Sequence, residues 1–222
     1  MNVASARRGE VAEAANVLAR LGLVTAYGHV SARAEDAMLI TPAADLACVT
    51  ASQVIVVPLT AAPPLPAGVP AEAWVHLALY RARPDAAAIA RAQPASGFAA
   101  AAAATSPSPE GLVPLHGQAA WLGESVPVHD SATLLRSPEL AERAADSLPR
   151  GEALLLRGNG AITLGAAPGL AVARMWVLAA ACEIHLAARG ASVTPLSADE
   201  IASWRAVGDE LLPRLWQHLR RR

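Results

Sequence analysis

Ala153-Leu154-Leu155-Leu156-Arg157-Gly158-Asn159-Gly160-Ala161-Ile162-Thr163-Leu164-Gly165 is the stretch on which the reading of the fold turns. Two aliphatic runs, each the length of a short strand, flank Gly158-Asn159-Gly160, whose composition suits a tight turn with positive φ. The stretch therefore reads as an antiparallel hairpin. Other strand signals lie upstream. Gly28-His29-Val30-Ser31-Ala32-Arg33 alternates its side chains between two faces, Met38-Leu39-Ile40-Thr41 ends at Pro42, and Val54-Ile55-Val56-Val57 is β-branched. Alanines blur residues 86–92, but their place between Pro84-Asp85 and Pro94 predicts a short buried strand. Val126-Pro127-Val128 adds a further strand signal.

Helical periodicity fills the intervals. Val11, Ala14, Ala15, Leu18 and Leu21 recur at three- and four-residue steps over 5–21, and Gly22 stops the run. A second helix is predicted over 72–83, with Trp74, Leu77 and Ala78 on one face, and a third over 95–104. Two helices close the chain. One runs over about 168–189, between Pro168 and Gly190; the other runs over about 198–219, with Ser197 as N-cap and Glu200 three residues on. Five prolines make 58–70 a loop, and 105–111 is a Ser/Pro/Gly loop. Strands and helices are interspersed rather than strictly alternating, which predicts a mixed sheet with helices on its faces. No long linker divides the 222 residues, so residues 1–222 read as a single domain.

Composition narrows the chemistry. All 18 basic residues are arginine, so no side chain can form a Schiff base with a carbonyl substrate or anchor pyridoxal phosphate. A net charge of −1 gives no reason to expect nucleic acid or an anionic membrane as partner. No run of about 18 strongly apolar residues stands out, so no membrane span is expected. The N-terminal residues carry two arginines and no following apolar run, so no signal peptide is expected either. Cys48 and Cys182, far apart and outside any paired motif, suggest reduced thiols and a cytoplasmic protein. Only 17% of residues are charged while 54% are hydrophobic, which points to buried subunit interfaces and a homo-oligomer.

Several segments, in order, resemble the class II aldolase/adducin family. They are 28–33, Ile40-Thr41-Pro42, Glu72 four residues before His76, Tyr80-Arg81-Ala82-Arg83-Pro84-Asp85, and 154–165 with the long helix after it. The resemblance spans roughly residues 8–190. It implies a three-layer α/β/α domain around a mixed, largely antiparallel sheet, commonly assembled as a homotetramer with active sites between subunits. In family enzymes a divalent metal, held by a His-x-His pair and a third His, polarises the substrate carbonyl. By alignment those ligands fall at Arg91, Gln93 and Asn159, and all three are replaced. Arginine stays protonated and has no lone pair to donate. Its charge about 4 Å from a divalent ion costs on the order of 8 kcal/mol at an effective dielectric near 20. No metal and no other cofactor are therefore expected.

The phosphate loops of the family's aldolases also differ. Their small hydroxyls are replaced at His29, Pro42-Ala43-Ala44 and Pro70-Ala71-Glu72, so the expected substrate is a small non-phosphorylated carboxylate. Glu72 matches the family's general acid/base, although a glutamate in a first helical turn also simply complements the dipole. Arg91 either binds a carboxylate or enolate where the metal stood, or forms a structural ion pair, Glu72 being one candidate partner. His29 and His116 are the candidates for proton transfer near neutral pH, with His29 assigned a catalytic role alongside Glu72 and Arg91. Thr41, Gln93, His116 and Asn159 are expected to bind substrate, and Asn159 also suits a turn between glycines. His76 reads as packing or a cap. No Ser–His–Asp order and no dinucleotide fingerprint is recognisable.

Two functions follow. One is a metal-independent carbon–carbon lyase, of aldolase or decarboxylase type, or an isomerase, acting on an oxo- or hydroxy-carboxylate. The other is a non-catalytic adducin-like binding or assembly module. A relocated metal site at His29 and His116 is a third reading.

Overall fold

A computed structural model describes residues 3–104 and 111–222. Most of the 105–111 loop lies outside the described residues. α1 (Val3–Arg20) leads into β1 (His29–Ala34), β2 (Ala37–Ile40) and β3 (Ile55–Pro58); α2 (Trp74–Ala82), β4 (Ala88–Ala92) and α3 (Ala95–Ala104) follow. Then come β5 (Val128–His129), α4 (Pro138–Asp146), β6 (Ala153–Leu156), β7 (Gly160–Gly165), α5 (Pro168–Ala187), α6 (Ala198–Ala206) and α7 (Gly208–Leu219). The strands form one seven-stranded sheet in the order β3-β2-β1-β4-β7-β6-β5. Every neighbouring pair is antiparallel except β5 with β6.

The alternation of β4 explains the layering. Ala88, Ala90 and Ala92 face the layer of α1, α3 and α5, where missing side-chain bulk lets α5 lie close over the sheet. Ile89 faces the opposite core, built with α2 and α4. Arg91, two residues on, shares that face. The three layers and the largely antiparallel sheet are those the sequence resemblance implies.

The 153–165 hairpin forms as read. Gly158 and Gly160 take φ of 68° and 95°, and a Cβ on Gly160 would stand 2.2 Å from the Ala92 carbonyl. Only glycine permits this approach of the turn to the end of β4.

Two readings are corrected. The closing helix breaks in two at Val207, whose φ of −100° and ψ of 3° leave the helical region. Two packing demands account for the break. α6 sets Trp204 edge-on to Trp121, with ring centroids 6.4 Å apart, while α7 lays Trp216 over Gly169 of α5. The sequence reading also passed over α4, although Ser137 caps it through the Leu140 amide and Pro138 occupies its first turn, a combination that marks a helix start. α5 is long and apolar enough to cross a membrane. Its Val172, Met175, Leu178 and Cys182 are instead fully buried in the core.

Candidate functional site

β1, β4 and the β6–β7 turn border a cavity of about 690 Å³. Glu72, His29, Arg91, Gln93 and Asn159 all line it, so five of the seven residues singled out by sequence converge. Gly28, Ala43-Ala44 and Pro70-Ala71 also line it. The three loops that would hold phosphate thus form its wall with no hydroxyl side chain among those residues.

Each functional side chain has a local cause. Arg91 sits on the inner strand β4 with its side chain 1% exposed. His29 opens β1 directly across the ladder from Arg91. Glu72 lies in the single turn Ala71–Ala73 that follows Pro70 and leads into α2. Asn159 is held by the turn glycines and donates its amide N–H to the Leu156 carbonyl at 3.0 Å.

These residues form a closed polar cluster. Arg91 Nη2 contacts Glu72 Oε2 at 2.8 Å and donates to the Asn159 backbone carbonyl at 3.1 Å and to Asn159 Oδ1. Glu72 Oε1 accepts from Asn159 Nδ2 at 2.8 Å and from the Leu135 amide at 3.0 Å. Asn159 therefore bridges both partners of the ion pair. The open question about Arg91 is answered in geometry: Glu72 is its partner. Burial lowers the arginine's proton affinity and the Glu72 charge opposes that. A guanidinium nevertheless stays protonated.

Behind the cavity wall lies a second set of polar groups. His76, in α2, is fully buried and its Nδ1 stands 2.7 Å from Ser31 Oγ, which in turn is 2.8 Å from the Tyr80 hydroxyl. The His29 and His76 rings are 5.6 Å apart. Burial first, then the Arg91 charge, pushes His76 down to about 3 and His29 well below the usual imidazole range. Both are neutral at pH 7. His29 Nδ1, His76 Nε2 and Arg91 Nε are buried with no hydrogen-bond partner among the described residues.

Thr41 and His116 stand apart from the cluster. Thr41 is fully buried, and its hydroxyl accepts the Val30 amide at 3.2 Å, closing the β1–β2 ladder instead of facing the cavity. His116 heads the turn Gly117–Leu122, which packs under α5 and α6 in the other layer. A pairing of His29 with His116 is thereby set aside. Sequence reasoning missed Tyr27, Leu134 and Arg136 in the cavity wall. Arg136 is exposed and its guanidinium has no partner among the described residues. It follows Leu135, whose amide is anchored on Glu72. No local signal marks these loop residues; only the closure of the 129–137 segment over Glu72 brings them in.

The donor set does not fit a divalent cation. Arg91 carries a fixed positive charge, and Asn159 Oδ1 is already taken by Arg91. Among the described residues, no three His, Cys, Asp or Glu side chains cluster in a way that could hold a metal. What the arrangement can do is hold an anionic or developing oxyanion group beside a neutral imidazole.

The chain belongs to the class II aldolase and adducin N-terminal domain family, whose model matches residues 9–186. It is 29% identical over 218 residues to the 3,4-dihydroxyphthalate decarboxylase of Terrabacter sp. (strain DBF63), covering 92% of this chain and 91% of that one. The l-fuculose-1-phosphate aldolase of Thermus thermophilus is 29% identical with a TM-score of 0.73, over 83% of this chain and 95% of that one. YgbL of Klebsiella pneumoniae shares the fold at a TM-score of 0.81 and 22% identity, over 92% of this chain and 100% of that one.

Proposed function

We propose that this protein is a metal-independent lyase that decarboxylates a small, non-phosphorylated oxo- or hydroxy-carboxylate. The observation that carries this reading is the Glu72–Arg91–Asn159 cluster, a fixed charge with an amide bridge, where the family resemblance implies a metal. The lack of serine and threonine hydroxyls at Gly28, Ala43-Ala44 and Pro70-Ala71 speaks against a phosphate, and the Terrabacter relative is named a decarboxylase of an aromatic dicarboxylate. Tyr27 and Leu134, 68% and 48% exposed, give the cavity an apolar rim suited to a planar substrate. Arg136 supplies an unpaired cation there for a carboxylate that is retained.

In the reaction the bond from carbon to the departing carboxylate breaks and CO2 leaves. The electron pair passes onto an adjacent conjugated oxygen as an enolate. Arg91 and Asn159 stabilise that charge by charge-assisted hydrogen bonds, and Gln93 helps orient it. A proton taken up from solvent and relayed by Glu72 or His29 then adds to carbon. Glu72 must loosen its hold on Arg91 as the oxyanion forms, so differential binding falls on the transition state. The working assembly is a cytoplasmic homotetramer with the cavity near subunit contacts.

Protein stripped with chelator is incubated with 3,4-dihydroxyphthalate and simpler hydroxy-benzoates, and CO2 release is followed. Turnover without metal is expected, with Arg91→Gln lowering it at least a hundredfold while the fold survives. Turnover retained in Arg91→Gln, or appearing only with added metal, overturns the proposal. A second reading, a non-catalytic adducin-like module, is favoured by one observation: Glu72 already neutralises Arg91. No turnover and no thermal stabilisation by any of these carboxylates would select it.

A further inference from the structure

His76, Ser31 and Tyr80 carry chemistry that the proposed reaction does not use. Their hydrogen bonds can be oriented by counting donors. Ser31 has one hydroxyl proton and two neighbours, His76 Nδ1 at 2.7 Å and the Tyr80 oxygen at 2.8 Å. If Ser31 donated to Tyr80, the phenol proton would have no acceptor among the described residues, in a side chain that is 1% exposed. An unmade bond of that kind is costly. If Tyr80 donates to Ser31 and Ser31 donates to His76, both hydroxyl protons and the Nδ1 lone pair are satisfied and one buried group, His76 Nε2–H, is left without a partner among the described residues; the reverse direction leaves two, the phenol proton and the Nε2 lone pair. Burial also raises the Tyr80 phenol above its ordinary range, so its proton is retained as a donor.

We infer that Tyr80, Ser31 and His76 form a one-way hydrogen-bond chain that fixes His76 as its neutral Nε2–H tautomer and so limits the buried site to a single positive charge, Arg91. The Nδ1 lone pair is the only basic position on that ring, and the Ser31 hydroxyl covers it. A protonated His76 would put an uncompensated cation beside Arg91, whose one carboxylate, Glu72, is already engaged. His29, 5.6 Å from the His76 ring and across the ladder from Arg91, has no such hydrogen bond on Nδ1; burial and the Arg91 charge disfavour its protonation. The groups that face the chain are Arg91 and His29 from the sheet, Arg33, which stacks 4.8 Å over the Tyr80 ring, and Arg7 from α1, which donates to the Arg33 carbonyl; Glu72 bears on it through Arg91. The three are positioning residues: His76 does not line the cavity.

The test uses the full chain, isotope-labelled at the histidine nitrogens, and long-range proton–nitrogen correlation of the imidazoles. His29→Gln and His76→Gln assign two of the six histidines. His76 is expected to show an unprotonated Nδ1 and a protonated Nε2 at pH 7, and to remain so to about pH 4, above its value of about 3. Ser31→Ala should mix the two tautomers and move the His76 titration upward, and Ser31→Thr, which keeps the hydroxyl, should restore the native pattern. Tyr80→Phe should give a smaller shift in the same direction, and it carries the test should Ser31→Ala fail to fold. An Nδ1–H tautomer in the native protein, or His76 and His29 signals unchanged in a folded Ser31→Ala, overturns the inference. None of these readouts requires turnover, so failure of the decarboxylase reading is registered separately.

Discussion

Two arginine–carboxylate pairs have almost the same separation and opposite surroundings. Arg83–Asp85 closes at 2.7 Å and Arg91–Glu72 at 2.8 Å. Asp85 is 63% exposed, although its partner Arg83 is only 12% exposed, as is Glu72, and Arg91 is 1% exposed. Arg83 grips Asp85 with two parallel bonds, Nε to Oδ1 and Nη2 to Oδ2, in a run of three residues that water can reach. Glu72 and Arg91 come from different elements lining a cavity, and Asn159 and the Leu135 amide supply what water would otherwise supply. The lesson is that separation says little about what a pair does. A solvated pair can lose a partner cheaply, while a buried one leaves a charge with nowhere to go.

The sharpest way to break this contrast is Glu72→Ala. It should destabilise the protein by about 3–5 kcal/mol in denaturant unfolding, because Arg91 stays buried and unpaired. Glu72→Gln combined with Arg91→Met should recover most of that loss, since no lone charge remains. A Glu72→Ala cost below about 1 kcal/mol would make the buried pair equivalent to a surface one.

A second effect depends on pH. His76 is pushed down in the folded state, so between the ordinary imidazole value and about 3 the unfolded chain binds a proton that the native protein does not. Its stability contribution is therefore intact near neutrality and lost as pH falls. Between pH 6.5 and 4.5 this one histidine should remove about 2 kcal/mol, because the slope reaches its full value only once the unfolded imidazole is protonated. His29 is lowered by the same causes and adds to the slope. Unfolding curves at the two pH values should show the loss, and His76→Gln should flatten it.

Smaller changes sharpen the comparison further. Asn159→Ala removes hydrogen bonds to both partners of the buried pair and should cost about 2 kcal/mol. Asp85→Asn, at the exposed pair, should change stability by less than about 1 kcal/mol. A reversal of that order would mean that the amide bridge adds nothing to the buried cluster.

Much of the architecture was legible in sequence because it is local. The Gly158-Asn159-Gly160 turn, the alternation at 28–33 and the β-branched 54–57 run each encode their own conformation, and the ordered motifs locate them in a family fold. The misreadings came where partners are distant. Residues 198–219 carry a continuous helical pattern, yet Trp121 and Gly169, far away in the chain, decide where that helix breaks. Ser137-Pro138 was a local start signal for α4 and was readable. The loop bearing Leu134 and Arg136 was not, because its position depends on the Leu135 amide finding Glu72.

By itself, the sequence showed that arginine, glutamine and asparagine stand where the family resemblance implies metal ligands, and that no lysine exists to replace the metal by Schiff-base chemistry. Residue types and motif spacing are enough for that. Only the tertiary structure decided that Arg91 answers to Glu72, that Asn159 spans both, and that Thr41 and His116 lie outside that cluster. Those partners lie far apart in the chain, and strand register, turn geometry and burial bring them within hydrogen-bond reach.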